Sequence, residues 1–197
     1  CIERGLAAWE GLPTRREMAL PLVWAALTIY NRDGDLYHAK QLSERALAIA
    51  QNHSDLYAEA SASAMLGQVL AFSADSAQAR LYLERALTLH RQLGNGIGEG
   101  CCLQSLGDVL LIQRNYAEAA PYYQKAIEIH AAIHYLIYTP LNLARLAECH
   151  LQTGNHEAAR SASEESLSLS RHLNQPGMVV EALAGLGIVA CLQENRT

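Results

Sequence analysis

Aromatic residues are scarce in this 197-residue chain: they make up 6%, and Phe72 is its one phenylalanine. A sheet core is usually rich in aromatic and β-branched residues, so this scarcity, beside abundant alanine, favours closely packed helices. Charged residues amount to 18%, too few for a disordered chain when 50% of residues are hydrophobic. No Lys/Arg run exists and the formal net charge is −5, which opposes direct nucleic-acid contact. No apolar stretch is long enough to span a bilayer and no secretory leader is visible, so no membrane role is expected. The cysteines, Cys1, Cys101, Cys102, Cys149 and Cys191, form no CxxC pair and no even framework. They read as reduced thiols of a cytoplasmic protein. A Gly-rich phosphate loop, a pocket-forming carboxylate pair and a Ser/His/Asp order are all missing. The expectation is a protein that is not an enzyme and carries no cofactor.

What the chain does have is a period. Leu66-Gly67, Leu106-Gly107 and Leu186-Gly187 repeat one dipeptide, and 107 − 67 = 40 while 187 − 107 = 80. Ala39, Ala79, Ala119 and Ala159 share a second register; Ala46, Ala86, Ala126 and Ser166 share a third. A period of this size marks a repeat array whose units bury their apolar faces on one another.

Each unit reads as two amphipathic helices. Ala60, Leu66, Val69 and Leu70 form one apolar stripe; Ala79, Leu83, Ala86, Leu87 and Leu89 form the next. Both follow helical spacing. Polar turns such as Ser73-Ala74-Asp75-Ser76 and Gln152-Thr153-Gly154-Asn155 separate them. Turns this short demand antiparallel helix pairs. The glycine of the Leu-Gly step is expected where another helix approaches closely, and Leu27 and Ala147 replace it in two units, predicting wider contacts there.

The predicted organisation is a single array. Residues 1–16 form the second helix of a preceding unit, because Glu3-Arg4-Gly5-Leu6 resembles Glu84-Arg85-Ala86-Leu87. Units span 17–56, 57–96, 97–136 and 137–176, and 177–197 supplies the first helix of another. A chain that opens on Cys1 and stops within a unit reads as a fragment of a larger protein. Thr139-Pro140 reads as an N-cap followed by a first-turn proline. Pro121 falls inside a helix and predicts a local distortion.

Leu-Gly, a turn, Tyr/Ala-x-x-Ala and then Ala-Leu resembles the tetratricopeptide repeat. The third unit carries it most fully, with Leu106-Gly107, Asn115-Tyr116-Ala117-Glu118-Ala119, Tyr123 and Ala126-Ile127. The long unit is similar to the variant in bacterial regulators of the LuxR and maltose-activator type, in quorum-peptide receptors and in eukaryotic polarity scaffolds. The resemblance implies an all-α, right-handed superhelical solenoid of antiparallel helix pairs. It also implies a concave groove lined by the first helices, holding a protein or peptide. By register the groove positions are Trp24, Thr28, Asn31, Gln68, Phe72, Gln104, Asp108, Glu148 and Gln152, with apolar patches at Leu111, Leu141 and Leu151. Family members that clamp a C-terminal carboxylate use Lys, Arg and Asn on these faces. Here the matching positions hold Ser61, Ala64, Gln68, Cys101, Gln104 and Asp108, so that function is rejected.

Each candidate has a plainer reading beside it. Trp24 is either a partner anchor or a residue packed beside Trp9. Gln68, Gln104 and Asp108 either read a peptide backbone or are simply solvated. Tyr122, Tyr123, Tyr135 and Tyr138 divide between core and ligand contact. His130 and His134, four apart and taken as one helix face, have metal-binding spacing, but no third ligand lies near in sequence, so no metal site is expected. Cys149-His150 and Cys101-Cys102 read as packing residues. The favoured function is a protein- or peptide-binding module within a larger bacterial signalling or transcription regulator. The alternatives are a small-molecule effector sensor of an ATP-dependent activator and a structural or self-association scaffold.

Overall fold

The structure, a computed structural model, describes residues 15–72 and 75–194. Most of the helix expected over 1–16, with Trp9, lies outside these residues, as do Ser73, Ala74 and the last three positions. Among the described residues every regular element is helical. Two compact units divide the chain, one up to Gly94 and one from Asn95.

In the first unit a 3-10 turn at Arg16–Met18 leads into α1 (Ala19–Asp33), followed by α2 (Leu36–Asn52), α3 (Leu56–Ala71) and α4 (Ser76–Gln92). Sequential helices pack on each other, and the first helices α1 and α3 also touch. Ala26, Ala39, Met65 and Val69 form a buried cluster there. Arg85 on α4 pairs with the buried carboxylate of Glu59 on α3. The second unit holds α5 (Gly96–Ile112), α6 (Tyr116–Ala132), a 3-10 turn at Leu136–Tyr138, α7 (Thr139–Gln152), α8 (His156–His172) and α9 (Pro176–Glu194). Leu110, Ala119, Tyr123, Leu146 and Cys149 form a core cluster there.

Two devices recur at the described turns. Asp35, Asp55, Asp75 and Asn95 cap helices by accepting from the backbone N–H three residues on, at 3.0–3.1 Å. Where it is described, the residue before the cap position turns left-handed: Gly34, Ser54, Gly94, Arg114, His134, Gly154 and Asn174. Where described, these positions fall on a 20-residue spacing (54 − 34 = 20, 114 − 94 = 20). The following N–H then reaches back five residues: Asp55 to Ala50, Asn115 to Leu110 and Gln175 to Ser170, each at 2.9 Å. This closing motif satisfies the last carbonyls of the helix. The turn within a helix pair and the turn between pairs therefore share one geometry.

Two of the Leu-Gly glycines, Gly67 and Gly107, sit where a second helix approaches closely. A Cβ on Gly67 would meet Leu83 Cγ at 2.6 Å, and one on Gly107 would meet the Tyr123 ring at 2.9 Å. Partners are 16 positions apart (83 − 67 = 16, 123 − 107 = 16). The same offset matches Leu27 with Ser43 and Ala147 with Ser163, and both serines are buried. Where the first helix carries the larger residue, the second carries the smaller one.

One expectation about proline is corrected. Thr139 is not an N-cap: it is the first residue of α7, buried, and Tyr138 precedes it as cap. The 3-10 turn at Leu136–Tyr138 runs straight into the helix, so no capping side chain is used. Pro121 does not interrupt α6, which runs unbroken from Tyr116 to Ala132. Both Pro121 and Ala117 are exposed, so the carbonyl that loses its partner faces water.

Candidate functional site

The first helices are α1 and α3 in one unit and α5, α7 and α9 in the other. On α1, Trp24 is 65% exposed. Thr28 sits one turn on, but its hydroxyl donates to the Trp24 carbonyl at 2.8 Å. Asn31 is exposed. On α3, Gln68 is half-buried, and Phe72 caps the helix while remaining 54% exposed. Its ring rests against Tyr30 of α1, centroids 5.9 Å apart. Trp24 and Phe72 are thus two of the exposed large aromatic side chains of this unit, beside Tyr37 on α2 and Tyr57 on α3.

In the second unit Asp108 on α5 is committed inward. Tyr123, fully buried on α6, donates its hydroxyl to Asp108 Oδ1 at 2.8 Å. Gln104 bonds the same carboxylate. Burial raises the Asp108 pKa, and these hydrogen bonds and Arg145 offset only part of that rise. Tyr123 in turn is pushed upward by burial and by the nearby Asp108.

On α7, Arg145 stands among three carboxylates. It pairs with Glu148 at 3.4 Å and with Glu181 of α9 at 3.5 Å, and Asp108 lies near enough to act on it. Burial works against its charge, but Glu181, Asp108 and Glu148 together outweigh that and raise its pKa. Beside this network the α7 and α9 faces enclose a cleft of about 450 Å³. Glu148, Gln152 and Glu181 supply its polar edge, and Leu151, Ile188 and Leu192 supply apolar wall. Ser163 of α8 and Gly185 of α9 also line it. Glu148 and Gln152 were expected here from register; Arg145, Glu181 and Ile188 were not. Ile188 stands in the register of Thr28, Gln68, Asp108 and Glu148, a signal already present in the sequence.

The paired histidines come apart. α6 ends at Ala132, so His134 lies in a left-handed turn with φ 55°, exposed, while His130 is fully buried on the helix. They do not share a helix face, which corrects the spacing argument. His130 packs against Tyr135 and Tyr138, with ring centroids 5.9 Å away in each case. Among the described residues no group of three His, Cys, Asp or Glu side chains could hold a metal ion. Among them also, no helix is long and apolar enough to cross a membrane.

Repeated helix pairs, recurrent small residues and uniform turns invite comparison with known repeat families. Residues 77–132 and 99–172 match the tetratricopeptide repeat family. Residues 77–172 are thus tetratricopeptide-like in sequence as well as in fold. No curated protein matches the chain. Among solved structures the chain is similar to aspartyl phosphate phosphatase F from Bacillus subtilis, at 14% identity and TM-score 0.85, over 95% of this chain and 49% of that one. A Rap protein complexed with competence and sporulation factor gives 16% identity and TM-score 0.85, over 100% and 58%. A signal-transduction ATPase of the STAND type with a tetratricopeptide repeat sensor, from Pyrococcus horikoshii, gives 20% and 0.78, over 95% and 30%. At these identities the likeness is one of fold. The chain spans 49%, 58% and 30% of the lengths of these three proteins.

Proposed function

We propose that this chain is a protein- or peptide-binding repeat module, the interaction or effector-sensing part of a larger bacterial signalling or transcription regulator in the cytoplasm. The observation that carries it is the state of the first-helix faces. Trp24 and Phe72 stand exposed although large aromatic side chains normally gain from burial. The α7–α9 cleft adds a concave site on equivalent faces. Support also comes from the fold likeness to a Rap protein solved with a signalling factor and to a STAND protein with a repeat sensor. Recognition would combine apolar anchors with hydrogen bonds, as in other groove binders.

A cleft of this volume lies within the range of small-molecule sites, roughly 300–1,000 Å³. That favours an effector sensor as the second reading. Hydrogen exchange tests the first. Peptides selected from a random display library on this chain should protect the first helices α1, α3, α5, α7 or α9. Protection confined to α2, α4, α6 and α8 would count against the groove reading. Thermal shift against sugar and nucleotide panels tests the second.

A further inference from the structure

We infer that the cleft between α7 and α9 receives an apolar side chain of a partner peptide whose neighbouring side chain is basic. This inference rests on the groove reading and specifies its chemistry. The cleft walls include Ala144, Ala147, Leu151, Ala184, Ile188 and Leu192. Such a surface releases water favourably only onto an apolar guest.

Charge selects the guest's neighbour. Glu148 and Glu181 border the cleft from opposite helices, and one nitrogen of Arg145 serves one oxygen of each. Each carboxylate has a second oxygen with room for another donor. Asp108 adds a third acidic group near the same guanidinium. With all groups ionised the network carries three negative charges and one positive. With Asp108 protonated, the direction in which burial drives it, two negative charges still face one positive. An acidic guest would be repelled, and a neutral one would cover the carboxylates without replacing their water. An ammonium or guanidinium bridging Glu148 and Glu181 satisfies both, while its neighbouring apolar side chain fills the cleft. The carboxylates are about two-fifths exposed, so the attraction is screened by salt.

A random dodecapeptide library displayed against the 197-residue chain tests this. Enriched peptides should carry Lys or Arg beside Leu, Ile, Val or Met. Their affinity should fall about tenfold on the Glu148→Gln/Glu181→Gln chain, and it should weaken with added salt. Ala184→Trp, at an exposed cleft wall, should abolish binding while leaving helicity by circular dichroism unchanged. Enriched peptides that protect the first helices but show no basic preference, or ignore both variants, overturn the cleft assignment and leave the groove reading standing. A library yielding no peptide that protects a first helix overturns both. Hexylamine binding as tightly as the selected peptide overturns the peptide as occupant.

Discussion

The ring of Tyr123 fills the space that Gly107 leaves empty. A Cβ on Gly107 would lie 2.9 Å from two of its ring carbons, and the ring is fully buried. The tyrosine hydroxyl then reaches the next residue, Asp108. One second-helix side chain is thereby locked between two consecutive first-helix positions.

This locking separates the three Leu-Gly glycines. Gly107→Ala forces a methyl against a ring that cannot retreat, and Gly67→Ala meets Leu83 in the same way. Overpacking of this kind costs about 1–3 kcal/mol, against a helix-propensity gain of about 1. Gly187 has nothing within 4 Å, so Gly187→Ala should stabilise by about 0.5–1 kcal/mol. Urea denaturation should show lower midpoints for Gly67→Ala and Gly107→Ala and a higher one for Gly187→Ala. Three shifts of one sign would contradict the packing account.

The left-handed turns predict a second set. Ser54, Arg114 and His134 hold φ of 52°, 58° and 55°, which costs a non-glycine residue about 1 kcal/mol or more. Replacing any of the three with glycine should raise the midpoint, by up to about 1 kcal/mol after glycine's entropy cost. Gly94→Ala should lower it by a similar amount. Thermal melts of single variants suffice as the check.

Buried histidines make stability depend on pH. Burial lowers the pKa of His90, His130 and His150. The unfolded chain, with ordinary histidines near 6.5, takes up protons first. Stability is then complete above pH 6.5 and declines as pH falls through the lowered folded values. His130→Leu should flatten that decline, measured as urea midpoints at pH 7.5 and 5.5. An unchanged slope would mean that His130 is charged in the fold.

Thiol reactivity should be graded. Burial pushes Cys101 and Cys149 up to about 11, and Cys102 higher still, where burial is reinforced by Cys101 and Glu99. Cys191 is exposed. In a Cys1→Ser background, iodoacetamide at pH 7.5 should label Cys191 readily and the other three only on unfolding. Rapid modification of Cys149 in the folded protein would contradict its placement.

Asn142 is fully buried on α7, and neither its amide oxygen nor its nitrogen meets a hydrogen-bond partner. Equivalent positions hold Ala62, Cys102 and Ala182. Asn142→Leu, close in shape, should stabilise by about 1–2 kcal/mol by removing an unpaired buried amide. A lower melting temperature for this variant would point to a packing role for the amide.

The helix pairs were legible because Leu-Gly and the recurrent alanines survive in register. The uniform turns were not. Glycine marks them at 34, 94 and 154, whereas Ser54, Arg114, His134 and Asn174 hide the intervening ones. The backbone motif is satisfied by main-chain bonds, so side-chain identity barely constrains it. At the candidate site, register located Trp24, Phe72, Glu148 and Gln152 on first helices. It could not show that Asp108 is held by Tyr123, because residue 123 is a tyrosine where other pairs carry Ser43, Leu83 and Ser163. It also missed Arg145, whose counterparts Ala25, Met65, Ser105 and Gly185 carry no charge. A side chain that occurs once in a repeat series leaves no periodic trace.

The 20-residue turn spacing has a consequence for how such a gene can change length. A deletion of 40 codons between equivalent turns rejoins like ends and leaves each later helix its old neighbours and its old inward face. A deletion of 20 codons also closes on a matching turn, yet it makes every downstream first helix a second one. Loss of α5, for example, would set Tyr123 against Leu87 in place of Gly107 (123 − 20 − 16 = 87). The loops tolerate either edit, so the pairing of large with small residues is what confines changes of length to whole helix pairs.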